Sequence, residues 1–454
     1  MANSILTSVM ENDSRFPISQ KRRNLLIKRL LIALFPAFLF YLSIPCARAD
    51  LNSFLKKEEP AYKWEKLSET VFSGGKEIEI HLVSQTWQGK NWEHRLQIFL
   101  PDKPKFPHFC ALLNTGGNGG AAEKLIGANL MKSIDSPFAI LYNIPNQPLY
   151  DGRTEDGLIV YTWQKYLETG DESWPLHFPM AKAVIKAMDA VQAYSKGSGI
   201  PEIDEFLITG ASKRGWTTWL AGASRDKRIK AIAPMVIDTL NLPKQMAHQA
   251  EAYGGFSEQI EDYTKAGIMG ALDTDRGKKL LELEDPYSYR KILSLPKLLI
   301  LGTNDRYWAQ DALNLYWNDL KGKKSVLYTP NSGHGLEDRT RVFNTLAAFA
   351  RSIASKSELP KMNWKFTTVA TGIDIAIQSG SHPKSARLFR ASANTQDFRN
   401  SKWTSEEIAP GAGSFAALMA TPKDGYAASF VEATFEQDGK PFTLSTQLQI
   451  LKAH

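Results

Sequence analysis

The 454-residue sequence contains only two cysteines, Cys46 and Cys110, which excludes a fold held together by a disulfide framework. Stability must therefore come from a buried apolar core, for which 43% hydrophobic residues are ample. Cys110 lies in the apolar run "FCALLN" and is expected to be a buried, inert thiol. Cysteine and histidine show no zinc spacing and no calcium loop is present, so the sequence predicts neither a metal nor a cofactor.

The sequence also lacks a long, unbroken run suited to a membrane span. The apolar run "LLIALFPAFLFYLSIP" has 16 residues and contains Pro36 and Pro45. It follows the basic cluster "KRRNLLIKR" and precedes "ARA", an order typical of a secretory signal over residues 1–49. We expect cleavage near Ala49 and a periplasmic or secreted product, whose one contact with the membrane is this signal. An uncleaved N-terminal anchor is the alternative.

An excess of positive charge is mostly confined to this leader. Seven Lys and Arg residues stand there against Glu11 and Asp13, so the leader carries +5 of the formal +7. The remaining chain is close to neutral, which argues against nucleic acid as a partner. A small-molecule or peptide substrate is the expected partner, and the sequence leaves the oligomeric state open.

Short apolar runs alternate with helical stretches over residues 50–358, which predicts an α/β fold with a mostly parallel central sheet. The leading pair "EIEIHLVSQTW" and "HRLQIFLP" is expected to be antiparallel. The runs "FCALLN", "FAILYN", "EFLIT", "IKAIAPMVI", "KLLIL" and "KSVLYT" then indicate buried strands. Helices are expected at 308–320 and 338–354, and residues 239–295 form a helical insertion that we interpret as a cap over the site.

The pattern changes after residue 361 to short alternating runs separated by Gly and Pro turns, such as "WKFTTVATGIDIAIQ" and "AASFVEATFE". Residues 362–454 are therefore predicted to form a C-terminal β-sandwich of immunoglobulin or fibronectin type.

Ser212 follows the strand "EFLIT" and precedes the helical stretch "KRGWTTWLAGAS". A nucleophilic serine on a strained turn between strand and helix requires this context, with a small residue such as Gly210 two positions earlier. The usual pattern is G-x-S-x-G, whereas Gly215 stands one position late. A serine that merely caps the helix is the alternative.

Chain order strengthens the assignment of Ser212. Asp305 follows the strand "KLLIL" and His334 follows "KSVLYT", so serine, acid and histidine end three strands in the order of a hydrolase triad. Histidine would act as the general base and aspartate would fix its tautomer. Asp305 could instead be a helix N-cap and His334 a turn residue, while Asp238 after "MVI" is a competing acid.

An acyl-transfer site also needs donors to a developing oxyanion. The backbone N–H of Lys213, directly after the nucleophile, is the first candidate. The glycine-rich loop "LLNTGGNGG" supplies the second, assigned to Gly117 or Asn118. A phosphate-binding loop is the alternative, but no Gly-Lys-Ser or Gly-Lys-Thr follows.

Other residues near the serine are ambiguous. Lys213 and Arg214 could contact an anionic substrate, although charged residues at a helix start are more often solvated. Several aromatic residues could line a pocket or belong to the core: Trp163, Tyr166, Trp216, Trp219, Tyr307 and Trp308.

The strings "ITGASKRGWTTWLAG", "YNIPNQPL", "EDGLIVYTW" and "LLILGTNDRYW" together resemble the PhoPQ-activated pathogenicity-related protein family, over roughly residues 60–450. The resemblance implies an exported bacterial protein with an α/β-hydrolase domain, a C-terminal β-sandwich and an association with virulence. It carries the triad onto Ser212, Asp305 and His334, and it makes the late glycine typical of the family.

The sequence thus predicts an exported serine hydrolase that cleaves an ester or a peptide-type amide through an acyl-enzyme on Ser212. The alternative is a secreted binding or signalling protein on a hydrolase scaffold with weak or no catalysis. A third hypothesis, that the sandwich binds carbohydrate and the enzyme is an esterase of decorated polysaccharide, rests on architecture alone.

Overall fold

The computed structural model describes residues 50–411 and 413–454. The predicted secretory signal, 1–49, lies outside the described residues. The described chain opens with Asp50 as the N-cap of a short helix, where its Oδ1 accepts a hydrogen bond from the Ser53 N–H at 2.8 Å. None of the helices in these two ranges combines the length and the apolar character that crossing a bilayer requires.

The first part of the chain alternates strands and helices as predicted. Its strands are β1 Lys63–Phe72, β2 Gly75–Trp87, β3 Lys90–Pro101, β4 Phe109–Asn114, β5 Phe138–Leu141, β6 Glu205–Ala211, β7 Ile229–Met235, β8 Lys297–Gly302 and β9 Lys324–Thr329. Its helices are α1 Leu51–Lys56, α2 Ala121–Ile134, α3 Glu155–Thr169, α4 His177–Gly197, α5 Lys213–Ala223, α6 Leu242–Tyr253, α7 Glu261–Lys265, α8 Ile268–Ala271, α9 Asp275–Glu284 and α10 Arg339–Ala354.

The nine strands lie in the order β1-β2-β3-β5-β4-β6-β7-β8-β9. β1, β2, β3 and β5 pair antiparallel in turn, and every later neighbour pair is parallel. This is the arrangement of an α/β-hydrolase fold, so the predicted fold class is confirmed. β1 escaped prediction because it is an exposed edge strand rich in charged residues, which leaves no buried face to produce a pattern.

Successive residues of the central strands belong to two different hydrophobic clusters, one on each face of the sheet. Ala111 of β4 and Leu207 of β6 pack in the cluster that also holds Leu346 of α10, whereas their chain neighbours Leu112 and Ile208 belong to the other cluster. The strands are apolar on both sides because helices cover both faces of the sheet. The carboxyl ends of β6, β8 and β9 therefore meet at one edge, which the helices leave accessible.

The segment 239–295 is helical as predicted, with α6 to α9 and the 3-10 turns Glu258–Ile260 and Pro286–Tyr289. The helix predicted over 308–320 is wrong, because this stretch forms only two 3-10 turns, Ala312–Leu315 and Trp317–Asp319. Tyr316 between them has φ −146°, and its buried hydroxyl donates to Asp238 Oδ1 at 2.6 Å. A helical pattern in the sequence is thus overridden by a buried tertiary hydrogen bond.

The C-terminal part consists of strands in two sheets. They are β10 Met362–Val369, β11 Gly372–Ser379, β12 Ser385–Ala393, β13 Thr404–Ile408, β14 Ser414–Ala420, β15 Tyr426–Gln437, β16 Lys440–Ser445 and β17 Gln449–Lys452. β10, β11 and β14 form a separate sheet, while the others extend the central sheet through β16, where Ser445 pairs with Val326 of β9. Ile375 and Leu388, from the two sheets, pack in one cluster, so the strands form a sandwich whose second sheet is continuous with the hydrolase sheet.

Candidate active site

Ser212 occupies a strained turn between β6 and α5. Its φ of 58° and ψ of −127° lie in a region that L-residues rarely adopt, and its N–H donates to the Met235 carbonyl at 2.9 Å. Glycine is needed on both sides of the turn. A Cβ on Gly210 would lie 2.5 Å from Asn114 Nδ2, and one on Gly215 would lie 2.8 Å from the Met235 carbonyl oxygen. The late glycine of "GASKRG" is therefore the point where α5 packs against β7.

Asp305 and His334 lie on the loops after β8 and β9 and form a hydrogen bond with each other. His334 Nδ1 is 2.8 Å from Asp305 Oδ2, and the other carboxylate oxygen accepts from the Tyr307 N–H at 2.9 Å. Because a carboxylate accepts only, Nδ1 carries the proton and Nε2 is left as the basic nitrogen. Nε2 is buried and has no hydrogen-bond partner in the described part of the chain, and His334 lines the same cavity as Ser212.

The competing acid Asp238 has another role. Its side chain is buried beneath the site and accepts a hydrogen bond from the Tyr316 hydroxyl at 2.6 Å, and it has no bond to His334. Burial raises the pKa of Asp238 to about 7. The structure therefore pairs the histidine with Asp305.

Tyr307 packs against the imidazole. Its ring centroid lies 4.2 Å from that of His334 at an angle of 34°, and the ammonium of Lys213 lies 5.8 Å from the Tyr307 ring on the serine side. The tyrosine follows Asp305 by two residues, and its N–H is the one that Asp305 Oδ1 accepts. One residue thus fixes both the acid and the plane of the histidine ring, and its π face can stabilise a protonated imidazole.

The expectation that Lys213 and Arg214 are solvated is wrong. Lys213 Nζ is 2.8 Å from Asp156 Oδ2, and the Arg214 guanidinium forms two 2.7 Å bonds to Glu155 while its Nε donates to the Ile144 carbonyl. Burial opposes ionisation of Glu155, but the bonds and charge of Arg214 outweigh it and lower the Glu155 pKa to about 2. These two acids at the start of α3 hold the two basic side chains next to Ser212, and sequence reasoning missed them although they belong to the string "EDGLIVYTW".

The predicted oxyanion donors differ in whether their groups already have hydrogen-bond partners. The N–H of Lys213 is the first amide of α5 and has no partner within the helix. The N–H of Gly117 donates to Thr115 Oγ1 at 3.3 Å, and the carbonyl of Asn118 accepts from Arg95 Nη1 at 3.3 Å. The neighbouring Gly116 N–H has no hydrogen-bond partner among the described residues.

Ser212 and His334 face a small apolar cavity of about 40 Å³. The insertion lies over it and contributes Leu242, Met246 and Met269 among other residues. Four of the six aromatic candidates line the cavity, namely Trp163, Trp216, Tyr307 and Trp308, while Tyr166 and Trp219 belong to the core. The polar groups of the wall, Asp156 and Lys213, bind each other and leave an apolar surface for a ligand.

A second and larger cavity, of about 470 Å³, lies on the other side of His334. It extends between α2 and α10, and Leu130 and Leu346 are among the residues that line it. The glycine-rich loop borders it through Gly116 and Gly117. His334 therefore lines two cavities of very different volume, about 40 and about 470 Å³.

Glu284, at the end of the insertion, anchors the wall of the smaller cavity. Its carboxylate accepts from His177 Nδ1 at 2.5 Å and from Trp163 Nε1 at 3.1 Å, and its carbonyl accepts from Trp216 Nε1 at 2.6 Å. The His177 ring also stacks on Trp216 at 4.4 Å. Two of the aromatic residues of the cavity are thus fixed by one glutamate.

The C-terminal part holds the loops that carry Asp305 and His334. Asn304 Nδ2, next to Asp305, donates to the Ser401 carbonyl at 2.7 Å. Asn331, three residues before His334, exchanges two hydrogen bonds with the backbone of Trp403, at 2.9 and 2.8 Å. The acid and the base are therefore positioned against the same segment of the sandwich. Within the two described ranges, no group of His, Cys, Asp and Glu side chains is placed to hold a metal ion.

Comparison with known proteins places this geometry in a family. The family model of the PhoPQ-activated pathogenicity-related protein matches residues 51–399. The chain belongs to this family. Among curated proteins, this PhoPQ-related chain is similar to the autocrine proliferation repressor protein A of Dictyostelium discoideum, with 31% identity over 429 residues that cover 85% of each chain.

Solved structures similar to the PhoPQ-related chain include two esterases. Acetyl xylan esterase 1 of a Thermoanaerobacterium species has 14% identity and a TM-score of 0.41, over 64% of this chain and 90% of its own. An S-formylglutathione hydrolase of Agrobacterium tumefaciens has 14% identity and a TM-score of 0.43, over 65% of this chain and 100% of its own.

Proposed function

We propose that this protein is a serine hydrolase that cleaves an ester or a peptide-type amide through an acyl-enzyme on Ser212. The observation that carries the proposal is the unpartnered Nε2 of His334, which faces the same cavity as the strained Ser212 while Nδ1 is held by Asp305. A buried basic nitrogen without a partner, in the same cavity as a half-buried serine on a strained turn, supports nucleophilic catalysis.

In the proposed reaction, His334 Nε2 accepts the proton of the Ser212 hydroxyl as Oγ attacks the substrate carbonyl. The oxyanion accepts hydrogen bonds from the N–H of Lys213 and of Gly116, whose amide is free where that of Gly117 is engaged. His334 then returns the proton to the leaving oxygen or nitrogen, and the bond to the acyl carbon breaks. A water molecule, deprotonated by the same nitrogen, releases the acid from Ser212.

The size of the cavity supports a short, apolar acyl group. An engineered apolar cavity of about 150 Å³ accommodates benzene, so a space of about 40 Å³ suits an acetyl or similar group. His334 also borders the larger cavity, whose volume of about 470 Å³ leaves room for a bulky alcohol or amine as the leaving group. We therefore propose a short-chain acyl derivative of a larger molecule as the substrate.

The test is to measure hydrolysis of p-nitrophenyl acetate and labelling by a fluorophosphonate probe in the purified chain from Asp50 onward. Ser212→Ala is expected to abolish labelling and to lower kcat by about 10⁴-fold to 10⁶-fold. Ser53→Ala, an exposed serine on α1, is the matched control and should retain full activity and labelling. Undiminished labelling in Ser212→Ala would show that another residue is the nucleophile.

A binding or signalling role on this scaffold is the second candidate. The observation in its favour is the similarity to a relative that is named an autocrine proliferation repressor. Labelling of the wild-type protein distinguishes the two proposals. A signalling protein without catalysis would leave the fluorophosphonate unreacted although Asp305 and His334 are intact.

We also propose that the protein is exported and that mature chains begin at Asp50. The role of Asp50 as the N-cap of α1 supports this start, because cleavage there leaves the helix intact. N-terminal sequencing of protein recovered from the periplasm or medium of a bacterial host should read Asp-Leu-Asn-Ser. A chain that retains residues 1–49 would support the uncleaved anchor instead.

A further inference from the structure

One buried lysine and one half-buried lysine lie at the edge of the central sheet opposite to Ser212. Lys297 is the first residue of β8 and is 1% exposed, and Lys324 is the first residue of β9. Lys297 Nζ donates to the Lys321 carbonyl at 2.5 Å, while Lys324 Nζ donates to the carbonyls of Trp317 and of Leu320, the latter at 3.1 Å. Both ammonium groups are therefore bound by backbone oxygens of one short segment.

Neither lysine has a carboxylate partner among the described residues. Buried charges in proteins are normally paired, because an unpaired one loses its hydration without compensation. Burial, with the charge of Lys324 in addition, lowers the pKa of Lys297 to about 7. Burial, with the charge of Lys321, likewise lowers the pKa of Lys324. The two amines thus share a site that lacks a counter-anion.

The lysines border a cavity of about 630 Å³ between the hydrolase sheet and the separate C-terminal sheet. Trp317 and Trp364 line it with their rings stacked at 5.6 Å, and Lys324 Nζ lies 4.8 Å from the Trp317 ring. Hydroxyl and amide side chains complete the wall, including Ser325, Ser352, Asn363 and Gln447. Such a mixture of cations, aromatic rings and neutral hydrogen-bonding groups is typical of a site for a polar organic ligand.

Other charges around the cavity leave it positive. Lys323 at the rim is paired with Glu358 at 2.6 Å, and Lys361 also lines the cavity and has no carboxylate partner among the described residues. Another acid, Asp319, accepts from the Tyr287 hydroxyl, and its charge raises the pKa of Lys324 less than burial lowers it. No acid among these groups neutralises Lys297.

We propose that this cavity binds a small anionic ligand, with its carboxylate or phosphate group between Lys297 and Lys324 and its ring or sugar body against Trp317 and Trp364. The anion supplies the missing counter-charge, and the aromatic walls supply apolar contact area. The site is separate from Ser212, so it stands or falls independently of the proposed hydrolase activity.

The test is a titration of the purified chain with sulfate, a dianion whose charge is constant over neutral pH. Binding is followed by isothermal titration calorimetry at constant ionic strength set with chloride, which excludes general screening. Glucuronate and inorganic phosphate, titrated in parallel, distinguish a carboxylate ligand from a phosphate ligand. We expect saturable binding of sulfate and of at least one of the other two.

Lys297→Met and Lys324→Met are each expected to weaken sulfate binding at least tenfold. The thermal stability of the unliganded variants should be unchanged or higher, because each removes a charge that has lost hydration and has no carboxylate partner among the described residues. Lys440→Met, at an exposed position of β16, is the matched control and should bind sulfate as the wild type does. Trp364→Ala should weaken glucuronate binding more than sulfate binding, since only glucuronate has a ring.

The pH dependence gives an independent readout. Because the pKa of Lys297 lies near 7, sulfate affinity should fall between pH 6 and pH 8.5, whereas a site of ordinary lysines would be unaffected over this range. Absence of saturable binding of all three anions would overturn the proposal and would make the lysines neutral donors to backbone carbonyls. Equal sulfate affinity in the two Lys→Met variants and the wild type would overturn it as well.

Discussion

The two buried aspartates near the site offer a sharp test of the proposed chemistry, because only Asp305 contacts the histidine. In the wild type, Asp305 Oδ1 accepts from the Tyr307 N–H at 2.9 Å and Oδ2 accepts from His334 Nδ1 at 2.8 Å. Asparagine at position 305 keeps one oxygen, and the Tyr307 N–H can only be satisfied by that oxygen. The amide NH₂ must then face His334, where it donates to Nδ1 and forces the ring proton onto Nε2.

A histidine protonated at Nε2 cannot accept the proton of Ser212. The side chain of Asp305 is 6% exposed, so no water can easily take the place of the lost carboxylate. We therefore expect Asp305→Asn to lower kcat by about 10⁴-fold, which corresponds to about 5 kcal/mol of transition-state stabilisation. The fold should survive, because the two side chains have the same shape and both hydrogen bonds can still form.

Asp238→Asn is the matched control. This aspartate is 5% exposed, lies after the neighbouring strand, and accepts from the Tyr316 hydroxyl rather than from the histidine. Asparagine keeps an oxygen that can accept from the Tyr316 hydroxyl, and it leaves the hydrogen bond between Asp305 and His334 intact. We expect kcat to stay within about tenfold of the wild type.

The assay is steady-state hydrolysis of p-nitrophenyl acetate at pH 8, with thermal denaturation of each variant to confirm the fold. If Asp305→Asn retained activity within tenfold of the wild type while folded, the assignment of the acid would be refuted. An equal loss in Asp238→Asn and Asp305→Asn would also refute it, because the histidine would then not depend on a specific carboxylate.

Three further outcomes follow from the geometry. Met269→Ala removes a side chain from the wall of the small cavity and should raise kcat/KM for p-nitrophenyl hexanoate, relative to that for the acetate, at least tenfold. Met362→Ala in β10 is the control and should leave this ratio unchanged. A ratio that neither variant changes would show that the cavity does not bind the acyl group. The free energy of unfolding should fall as the pH drops from about 4.5 through 2, because the folded-state pKa of Glu155 is depressed, and in urea titrations this loss should be smaller in Glu155→Gln. Gly210→Ala should cost about 1 to 3 kcal/mol in urea unfolding and should lower activity by displacing the serine turn, while Gly197→Ala, whose Cβ would meet no atom within 4 Å, should do neither.

The central sheet could be predicted from the sequence because its strands are buried on both faces and therefore appear as nearly continuous apolar runs. Each of the six predicted runs from "FCALLN" to "KSVLYT" coincides with a strand, and helices connect these strands except for β8 and β9, which are joined by 3-10 turns. The candidate triad could be selected because the carboxyl ends of parallel strands meet at one edge. That rule brings Ser212, Asp305 and His334 together without any knowledge of the loops.

The rest of the site depends on contacts between residues far apart in the sequence, which no local sequence pattern predicts. Glu155 and Arg214 are far apart in sequence, so their two hydrogen bonds could not be expected from the helix that each begins. The carbonyl of Asn118 is bound by Arg95, which lies on a strand before the loop, and this contact has no signal in the loop sequence. The roof of the cavity likewise arises from the packing of the insertion, of which the sequence shows only that its segments are helical.

The hydrogen bonds from Asn304 and Asn331 to residues 401 and 403 have a consequence for how this protein can vary. A polypeptide cut at the end of α10 would keep Ser212, Asp305 and His334 and yet lose the segment that holds the loops of the last two. It would also uncover the backbone of β9, an open strand edge of the kind that promotes aggregation. The hydrolase part and the C-terminal strands are therefore not independent domains. A truncated or fused form of this protein should keep the whole span from β1 to β17.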